Sequence, residues 1–330
     1  MIKKIYRKYK QITWFNDFKK LHEKSIQDKI DISKLRLILG VGRSGTSWLS
    51  KMLAECDENI RYFNEFLPHV KPTVRYSLEN DYTAVDYKDV INEKDTIFTS
   101  YKYLTTDKFN KDLLDSNFIK RKLAKDCENP DIVLVKEVHS LLMSEGLLKK
   151  INTASITITR NSIYVLDSFL SYKEIHNPLW KNETNYIISN EEFQKKYKIN
   201  NKTINNLIKY RDDGKIRKNA IISKCLTIAI INKMLKQLGN DLPSCMHITY
   251  ENLTQNPLEY FKKMSLHLDM SFGENAEKEL ENSQKGIVNT KDPMSIQRDT
   301  KKQASREYRN LSPDEVAMLE VFLQECELNL

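Results

Sequence analysis

One short segment, residues 37–49, constrains the fold of this chain more than any other. An apolar run enters a turn rich in glycine and hydroxyl side chains, and a helix begins immediately after the turn. Apolar residues at a period of 3.6 indicate the helix, namely Trp48, Leu49, Met52, Leu53 and Cys56. A strand, a turn and a helix in this order direct several backbone N–H groups and the positive end of the helix at one point. The segment therefore predicts a loop that binds a phosphate or sulfate group.

The residues of the turn indicate how that anion is bound. Gly40 and Gly45 have the spacing of a P-loop, and Ser47 stands where that motif has its hydroxyl group. Thr46, however, occupies the position of the P-loop lysine, and the nearest cation is Arg43 inside the turn. We therefore expect a phosphate group whose charge is balanced by an arginine and by N–H donors.

Hydrolysis of a nucleoside triphosphate is disfavoured by the same comparison. Such enzymes need the P-loop lysine on the phosphates and an aspartate at a strand end for magnesium. Two later apolar runs end without an aspartate, in Thr159-Arg160 and in Thr249-Tyr250-Glu251. We expect no metal at the site.

The order of apolar runs predicts the fold class. Four runs have the length and composition of buried parallel strands: Leu35–Leu39, Asp131–Val135, Ser155–Thr159 and Cys245–Thr249. Each is followed by a helical pattern, which is typical of an α/β three-layer sandwich with a central parallel sheet. There is no internal repeat and no linker rich in glycine or proline, each of which occurs only eight times. We therefore predict a single domain over residues 1–330.

Some segments fall outside this alternation. Residues 1–33 are predicted to form a helical extension, and residues 72–130 and 176–216 to form insertions over the site. The aromatic residues of the second insertion suit either an acceptor cleft or a helical cap whose rings belong to the core. The longest predicted helix is Arg217–Leu238, with Gly239 as its C-terminal cap.

Composition and cysteine usage limit the compartment and the partners. The net charge of +8 suits a polyanionic ligand, and no nucleic-acid-binding motif accompanies it. Five cysteines without CxxC spacing indicate reduced thiols and no zinc site. No signal peptide or apolar run of ~20 residues occurs. We expect a bacterial cytoplasmic protein, or else a trimmed lumenal domain. The basic N-terminus suits either peripheral membrane contact or a solvated helix.

A second pattern pairs an arginine with a serine. Arg160 follows a predicted strand, Ser168 stands eight residues further on, and Asn161 or Ser162 can cap the helix between them. At a rise of ~1.5 Å per residue, Ser168 lies about two turns into that helix. A guanidinium and a hydroxyl group can therefore meet on one phosphate.

The segment Gly-x-Gly-Arg-Ser-Gly-Thr-Ser-Trp-Leu at 40–49 resembles the 5′-phosphosulfate loop of sulfotransferases that use 3′-phosphoadenosine 5′-phosphosulfate (PAPS). It is more similar to the arginine-bearing carbohydrate and protein-tyrosine branches than to the lysine-bearing cytosolic branch. The pair Arg160 and Ser168 resembles the 3′-phosphate motif of that family, with Ser162 in place of the usual proline. The segment from Tyr250 to Pro257 resembles the family's strand-to-helix connection beside the adenine.

The resemblance implies a P-loop-like sulfotransferase fold, PAPS as co-substrate, 3′-phosphoadenosine 5′-phosphate (PAP) as product, and no metal. It implies binding of the 5′ end of the nucleotide by six residues: Arg43, Ser44, Gly45, Thr46, Ser47 and Trp48. It implies Arg160 and Ser168 at the 3′-phosphate and Tyr250 at the adenine. The basic stretch 298–309 resembles the loop that closes over the nucleotide in this family, and we take Lys302 as its representative. The resemblance does not decide which residues of the stretch contact the nucleotide.

The resemblance also assigns catalytic roles. Arg43 is implied to stabilise charge on the bridging oxygen, and Lys136 to contact the transferring group. The position of the cytosolic branch's catalytic histidine is Val138 here, so that arrangement is absent. The segment Phe63–Pro68 resembles the region of the arginine-bearing branch that carries a glutamate, which makes Glu65 the candidate base.

Three other residues stay open as the base, namely Glu137, His139 and His69. The expected function is transfer of the sulfuryl group from PAPS to an acceptor hydroxyl group. A glycan is the preferred acceptor, and a lipid or a small metabolite comes next. The alternatives are a P-loop-related nucleotide kinase and a non-catalytic module that binds PAP or a glycan.

Overall fold

The computed structural model describes residues 32–65, 101, 104–105, 123–138, 141–171, 178–211, 216–284 and 307–328. At the centre of these residues lies one sheet of six strands in the order β3-β2-β4-β1-β5-β6. The strands are β1 (Leu35–Gly40), β2 (Ile60–Asn64), β3 (Leu123–Lys125), β4 (Ile132–Glu137), β5 (Ser155–Thr159) and β6 (Cys245–Thr249).

Five of the six strands are parallel, and the edge strand β3 is antiparallel to β2. The sheet is therefore mixed: five of its strands form the predicted central parallel sheet, and the antiparallel edge strand β3 was not predicted. An antiparallel neighbour needs only a chain reversal, whereas a parallel one needs a crossover that returns the chain to the same edge. All four predicted strands form, and β2 and β3 are two that the apolar pattern did not predict.

A buried arginine explains why β2 was missed. Arg61 interrupts the apolar run, yet its side chain is only 1% exposed. Its guanidinium donates to the carbonyl oxygens of Leu104 at 3.1 Å and Cys127 at 2.7 Å and pairs with Asp126 at 3.3 Å. A charged group can be buried when its donors are satisfied in this way. These partners are distant in sequence, so no local pattern indicates them.

Helices cover both faces of the sheet, which confirms the α/β three-layer sandwich. In chain order the helices are α1 (Thr46–Ala54), α2 (Ser144–Ile151), α3 (Ser162–Leu170), α4 (Pro178–Ser189), α5 (Glu191–Lys196), α6 (Asn201–Lys209), α7 (Arg217–Asp241), α8 (Tyr250–Gln255), α9 (Pro257–His267), α10 (Glu274–Gln284) and α11 (Pro313–Glu325). Successive side chains of a strand point to opposite faces. Accordingly, Leu35, Leu37 and Leu39 pack with α2, α3 and α7, whereas Ile38 packs with α1, α8 and α9.

The described part of the second insertion is helical. Helices α5 and α6 each begin after an asparagine, and Asn190 and Asn200 accept hydrogen bonds from first-turn N–H groups. The rings of Phe193 and Tyr197 are at most 1% exposed and belong to the core. For these residues the helical cap is the correct one of the two readings. The first 31 residues and most of the first insertion lie outside the described residues.

The predicted end of the longest helix was wrong. Helix α7 continues to Asp241, so Gly239 lies inside the helix and does not cap it. A Cβ atom at Gly239 would stand 2.3 Å from the Cβ of His247 on β6. Glycine is therefore required by the close approach of the helix to the sheet. No described helix is long and apolar enough to cross a membrane.

This contact leads to a prediction that opposes helix propensity. In an open helical position, Gly→Ala stabilises by about 1 kcal/mol. We expect Gly239→Ala instead to lower the free energy of unfolding by about 1–3 kcal/mol, because the methyl group overpacks the contact with His247. Denaturant unfolding measures the change, and Asn240→Ala at the exposed neighbouring position is the control. A stabilised Gly239→Ala variant would contradict the packing explanation.

A buried carboxyl group leads to a prediction about pH. Glu183 lies on α4, which is joined to α7 by the hydrogen bond between the hydroxyl groups of Thr184 and Thr227 at 2.7 Å. The Glu183 side chain is buried, and burial raises its pKa to about 8. Above its ordinary pKa of about 4.3 the unfolded chain releases this proton while the folded chain retains it. Stability contributed by this group is therefore lost as the pH rises from about 4 towards 8.

We expect Glu183→Gln to remove this dependence. Relative to the original chain, the variant should gain stability by about 1.4 kcal/mol for each pH unit between pH 5 and pH 7.5. Denaturant unfolding at several pH values measures this slope. Glu191→Gln, at an exposed position of α5, should show no such slope. A stability difference between Glu183→Gln and the original chain that is independent of pH would contradict the assignment.

Candidate functional site

The candidate site lies at the carboxyl edge of the five parallel strands. The anion loop follows β1, Glu65 follows β2, Lys136 lies at the end of β4, Arg160 follows β5, and Tyr250 follows β6. Because these strands are parallel, their carboxyl ends meet at one edge, where open α/β sheets bind ligands. The sheet therefore brings together residues that are as far apart in the sequence as Arg43 and Tyr250.

The loop after β1 is held in an unusual backbone conformation. Arg43 has a φ of 72° and Gly45 a φ of 95°, both in the left-handed region. A Cβ atom at Gly45 would stand 2.3 Å from the ring of Tyr250, and one at Gly40 would stand 2.7 Å from the carbonyl oxygen of Ile158. Both glycines are therefore needed for close approach, and the left-handed turn at Gly45 also favours glycine.

Two hydroxyl residues of the loop serve its shape. Ser44 is fully buried, and both its backbone N–H, at 3.1 Å, and its hydroxyl group donate to the carbonyl oxygen of Val41. Both hydrogen-bond donors of Ser44 are therefore used within the turn, and its contact with the nucleotide stays a prediction. Thr46 is 2% exposed, with its methyl group packed against Gly40. Ser47, in contrast, is exposed at the start of α1.

Helix α1 begins without a side-chain cap. Its N-cap residue is Gly45, and its first turn contains no acidic residue. The first N–H groups of a helix have no acceptor inside the helix, and the helix dipole adds a positive potential there. Thr46 and Ser47 contribute two of these groups. The start of α1 therefore suits an anion.

The ammonium group of Lys136 lies at the centre of a polar cluster. Lys136 is 1% exposed, and its Nζ donates to Ser47 Oγ at 2.9 Å, to Asn64 Oδ1 at 3.0 Å and to Glu65 Oε1 at 2.7 Å. The cluster joins the anion loop to the two residues at the end of β2. Asn64 was missed from the sequence, because its role depends on the pairing of β2 with β4.

Glu65 has a strained backbone and a paired side chain. Its φ is 58°, and its N–H donates to the carbonyl oxygen of Lys136 at 2.8 Å. Its side chain remains 26% exposed, so the carboxylate lies at the boundary between the buried ammonium and solvent. Non-glycine residues with positive φ are uncommon, and they cluster at functional sites. Two of the expected catalytic residues, Arg43 and Glu65, have this conformation.

The structure joins the two predicted phosphate motifs directly. Arg43 Nε donates to Ser168 Oγ at 3.0 Å. Arg43 belongs to the loop after β1, and Ser168 lies on α3, where it is 7% exposed. The sequence placed these residues at opposite ends of a nucleotide and did not indicate that they touch.

Arg160 is held between aromatic rings. Its Cζ lies 4.3 Å from the centre of the Tyr250 ring and 5.6 Å from that of Tyr164, and its NH1 donates to the carbonyl oxygen of Arg43 at 3.4 Å. The residue is 5% exposed, and burial is the main cause of its lowered pKa. An anion beside it would offset that cost of burial.

The helix after Arg160 is capped by Asn161, one of the two residues that the sequence left open. Asn161 Oδ1 accepts hydrogen bonds from the N–H groups of Ile163 and Tyr164, and the Asn161 N–H donates to Glu251 at 3.0 Å. Glu251 thus connects the end of β5 to the start of α8. This contact fixes the direction in which α3 leaves the sheet.

The rings of Trp48 and Tyr250 pack beneath the loop. Trp48 is 6% exposed and meets the rings of Phe261 and Tyr250 edge-on, at centroid distances of 5.4 and 6.5 Å. Trp48 therefore contributes mainly to the core under the loop. Tyr250 lies between Gly45 and Arg160.

Among the alternative bases, the structure describes only Glu137. It is fully buried, and its carboxylate accepts from the Val138 N–H at 2.9 Å and from the Tyr101 hydroxyl group at 3.4 Å. These contacts direct it away from the cluster of Lys136, since successive residues of β4 face opposite sides of the sheet. His69, His139 and Lys302 lie outside the described residues.

In the described ranges, no cluster of three or more His, Cys, Asp or Glu side chains could hold a metal ion. All five cysteines are described, and none forms a disulfide.

No protein-family model matches the sequence, and no curated protein sequence matches it. Among solved structures, the chain is similar to the mouse sulfotransferase SULT7A1 complexed with PAP. The two are 13% identical, and the similarity covers 94% of this chain and 90% of that chain with a TM-score of 0.44. A similarity this weak is not evidence of function, so the function has to be inferred from the residues of the site.

Proposed function

We propose that this chain transfers the sulfuryl group from PAPS to an acceptor hydroxyl group. One observation carries the proposal: both neighbours of β1 in the sheet lead into a cation at the edge where the anion loop lies. Strand β4 presents Lys136 on one side of the loop, and β5 leads into Arg160 on the other. With Arg43 in the loop itself, three cationic residues lie at this edge of the sheet.

The same arrangement disfavours the nucleotide kinase. A P-loop enzyme needs a lysine at the position of Thr46, and Thr46 is instead packed against Gly40. It also needs a magnesium-binding carboxylate beside the loop. The strands that flank β1 lead into cations there. The carboxylate of Glu65 is paired with Lys136, and Glu137 is buried beneath Tyr101.

The described residues fit a nucleotide with phosphate groups at both ends. We assign the 5′ end to Arg43 and to the first N–H groups of α1, and the 3′-phosphate to Arg160 and Ser168. The division between the two phosphates comes from the sequence motifs. The contacts of Arg43 with Ser168 and Arg160 support only that both groups of residues can reach one nucleotide. We propose Tyr250 beside the adenine, and we retain Lys302 as the proposed closing residue from the sequence alone.

PAPS supplies the sulfuryl group, and the residues of the chain position it and move a proton. The acceptor oxygen forms a bond to sulfur while the bond from sulfur to the 5′-phosphate oxygen breaks, which leaves PAP. Negative charge grows on that phosphate oxygen, where Arg43 and the helix N–H groups can stabilise it. One such donor lowers the activation free energy by about 3–4 kcal/mol.

Glu65 is our proposed base. Its carboxylate is held by Lys136, and Lys136 in turn contacts Ser47 at the start of α1. A base must lie within hydrogen-bonding reach of the proton that it removes. The contacts through Lys136 place Glu65 at the edge of the anion loop, so a hydroxyl group directed at a bound sulfuryl group can reach it. The proton of the acceptor passes to the Glu65 carboxylate.

The acceptor and the location are proposed from the sequence. The arginine-bearing loop resembles the carbohydrate and protein-tyrosine branches, and we propose a glycan hydroxyl as the acceptor and the cytoplasm as the location. A cell extract incubated with the enzyme and PAPS can be searched by mass spectrometry for products that gain one sulfuryl group. Products of another class, such as lipids, would replace the glycan and leave the reaction type intact.

The first test concerns the 3′-phosphate. PAP should bind more tightly than 5′-AMP, and Arg160→Ala should reduce this preference by about 10- to 100-fold, because it removes a charged hydrogen-bonding partner. Titration calorimetry measures both affinities. Arg160→Lys, which keeps the charge without the planar fork, should fall in between. Arg211→Ala, at an exposed position, is the control and should leave both affinities unchanged. Equal affinity of the original chain for PAP and 5′-AMP would contradict the nucleotide assignment.

The second test concerns the base. Glu65→Gln retains the size and the acceptor oxygen that Lys136 contacts but cannot take a proton. Turnover should fall about 10²- to 10⁴-fold, whereas the affinity for PAP should change little. Glu191→Gln, in an exposed pair with Lys195, should retain full turnover. Unchanged turnover in Glu65→Gln would exclude the base role, and no turnover in the original chain with any acceptor would favour the binding module.

The third test concerns magnesium. The proposed site neutralises phosphate with Arg43, Lys136 and Arg160, so PAP binding and turnover should be unchanged by EDTA. Thermal stabilisation should be measured with PAP and with ATP, each with and without magnesium. A strict requirement for magnesium, with stabilisation by ATP alone, would favour the kinase over the sulfotransferase.

A further inference from the structure

A buried aspartate at an unassigned position of the Arg160–Ser168 motif anchors the C-terminal segment to the helix that carries Ser168. Asp167 is fully buried, and its Oδ1 accepts hydrogen bonds from the backbone N–H groups of Arg309 at 3.0 Å, Asn310 at 2.7 Å and Leu311 at 3.2 Å. Hydrogen bonds to a charged acceptor are the strong ones. Three consecutive residues are therefore fixed by one carboxylate oxygen.

The side chain of Asn310 strengthens the same anchor. Its Nδ2 donates to the carbonyl oxygen of Asp167 and to the hydroxyl group of Ser171, both at 2.9 Å. From the other side, Arg217 of α7 donates to the carbonyl oxygen of Asn310 at 2.7 Å and pairs with Glu315 at 2.8 Å. The segment before α11 is thus fastened to both α3 and α7.

The anchor holds an aromatic ring against α3. The ring of Tyr308 stacks on that of Tyr164 with a centroid distance of 4.6 Å and an interplanar angle of 20°. Tyr164 lies one turn before Ser168 on the same helix and faces Arg160. Four side chains therefore form a column, in the order Tyr308, Tyr164, Arg160 and Tyr250, and the last of them packs against Gly45 of the anion loop.

We propose that Asp167 and Tyr308 are positioning residues for the guanidinium group of Arg160, and that through it they set the preference of the site for a nucleotide with a 3′-phosphate. This inference rests on the proposed function. The contacts with the rings of Tyr164 and Tyr250 limit the orientations that the guanidinium can adopt, and its N–H groups can bind a phosphate. The outer ring of the column, Tyr308, keeps Tyr164 in place, and the hydrogen bonds of Asp167 keep Tyr308 in place.

The test compares nucleotide preference in variants of the full chain by titration calorimetry with PAP and 5′-AMP. Tyr308→Ala should lower the affinity for PAP about threefold to tenfold, the range expected for the loss of an aromatic pair, and should change the affinity for 5′-AMP less than twofold. Tyr308→Phe keeps the ring and removes only the side-chain hydrogen bond to Tyr164, so it should retain most of the original preference. Asp167→Asn should shift the preference in the same direction as Tyr308→Ala.

Controls separate positioning from general stability. Lys125→Met removes hydrogen bonds to the carbonyl oxygens of Ala54 and Asp57, at the opposite edge of the sheet. It should lower the melting temperature without changing the ratio of the two affinities. If Tyr308→Ala does not fold, Tyr308→Leu replaces it in the test. Leucine keeps an apolar side chain over Tyr164 but removes the aromatic ring, so the same direction of change in nucleotide preference is expected.

The outcomes distinguish this inference from the proposed function. If the original chain prefers PAP and the Tyr308 and Asp167 variants keep the same ratio, the positioning role is overturned while the function stands. An equal loss of both affinities would also overturn it, because it would show a structural role alone. If the original chain binds PAP and 5′-AMP equally, the nucleotide assignment itself has failed.

Discussion

The ammonium group of Lys136 is the contact on which the candidate site depends. A buried ammonium is tolerated only when its donors meet acceptors, and here the acceptors come from α1, the end of β2 and the residue after it. Each acceptor is thereby fixed relative to the other two. Because Lys136 belongs to a central strand, the sheet transmits its own rigidity to Ser47 and Glu65.

The other side of the site is organised by different physics. The guanidinium of Arg160 contacts the faces of two rings, and the backbone carbonyl oxygen of Arg160 accepts a hydrogen bond from the amide of Asn232 at 2.9 Å. Ring contacts fix the plane of a guanidinium and are compatible with a ligand at its edge. One side of the loop is therefore held by ionic contacts, and the other by stacking.

Those parts of the fold that depend on local pattern were predictable from the sequence. The four apolar strands, the loop after β1 and the helix after Arg160 form where the pattern placed them. Long-range features were not predictable. Strand β2 is stabilised around Arg61 by carbonyl groups far away in the chain, and Gly239 is explained only by the approach of His247.

The candidate site divides in the same way. Residue types and spacing indicated Arg43, Arg160 and Ser168, but only the three-dimensional arrangement brings Arg43 and Ser168 to 3.0 Å. Asn64 and Asp167 carried no sequence signal, because each acts through partners on other elements. Ser44 matched a motif, yet the turn uses both of its donors internally.

The left-handed backbone at Arg43 and Glu65 means that the residues best for stability differ from the residues that the candidate site needs. Glycine or asparagine relieves that strain at either position, so a search for hardier variants would favour such replacements. The same replacements would delete a loop cation or the carboxylate beside Lys136. Directed evolution for thermal stability alone would therefore tend to select variants that lack one of the two side chains of the candidate site. These two positions should be held constant in any such library.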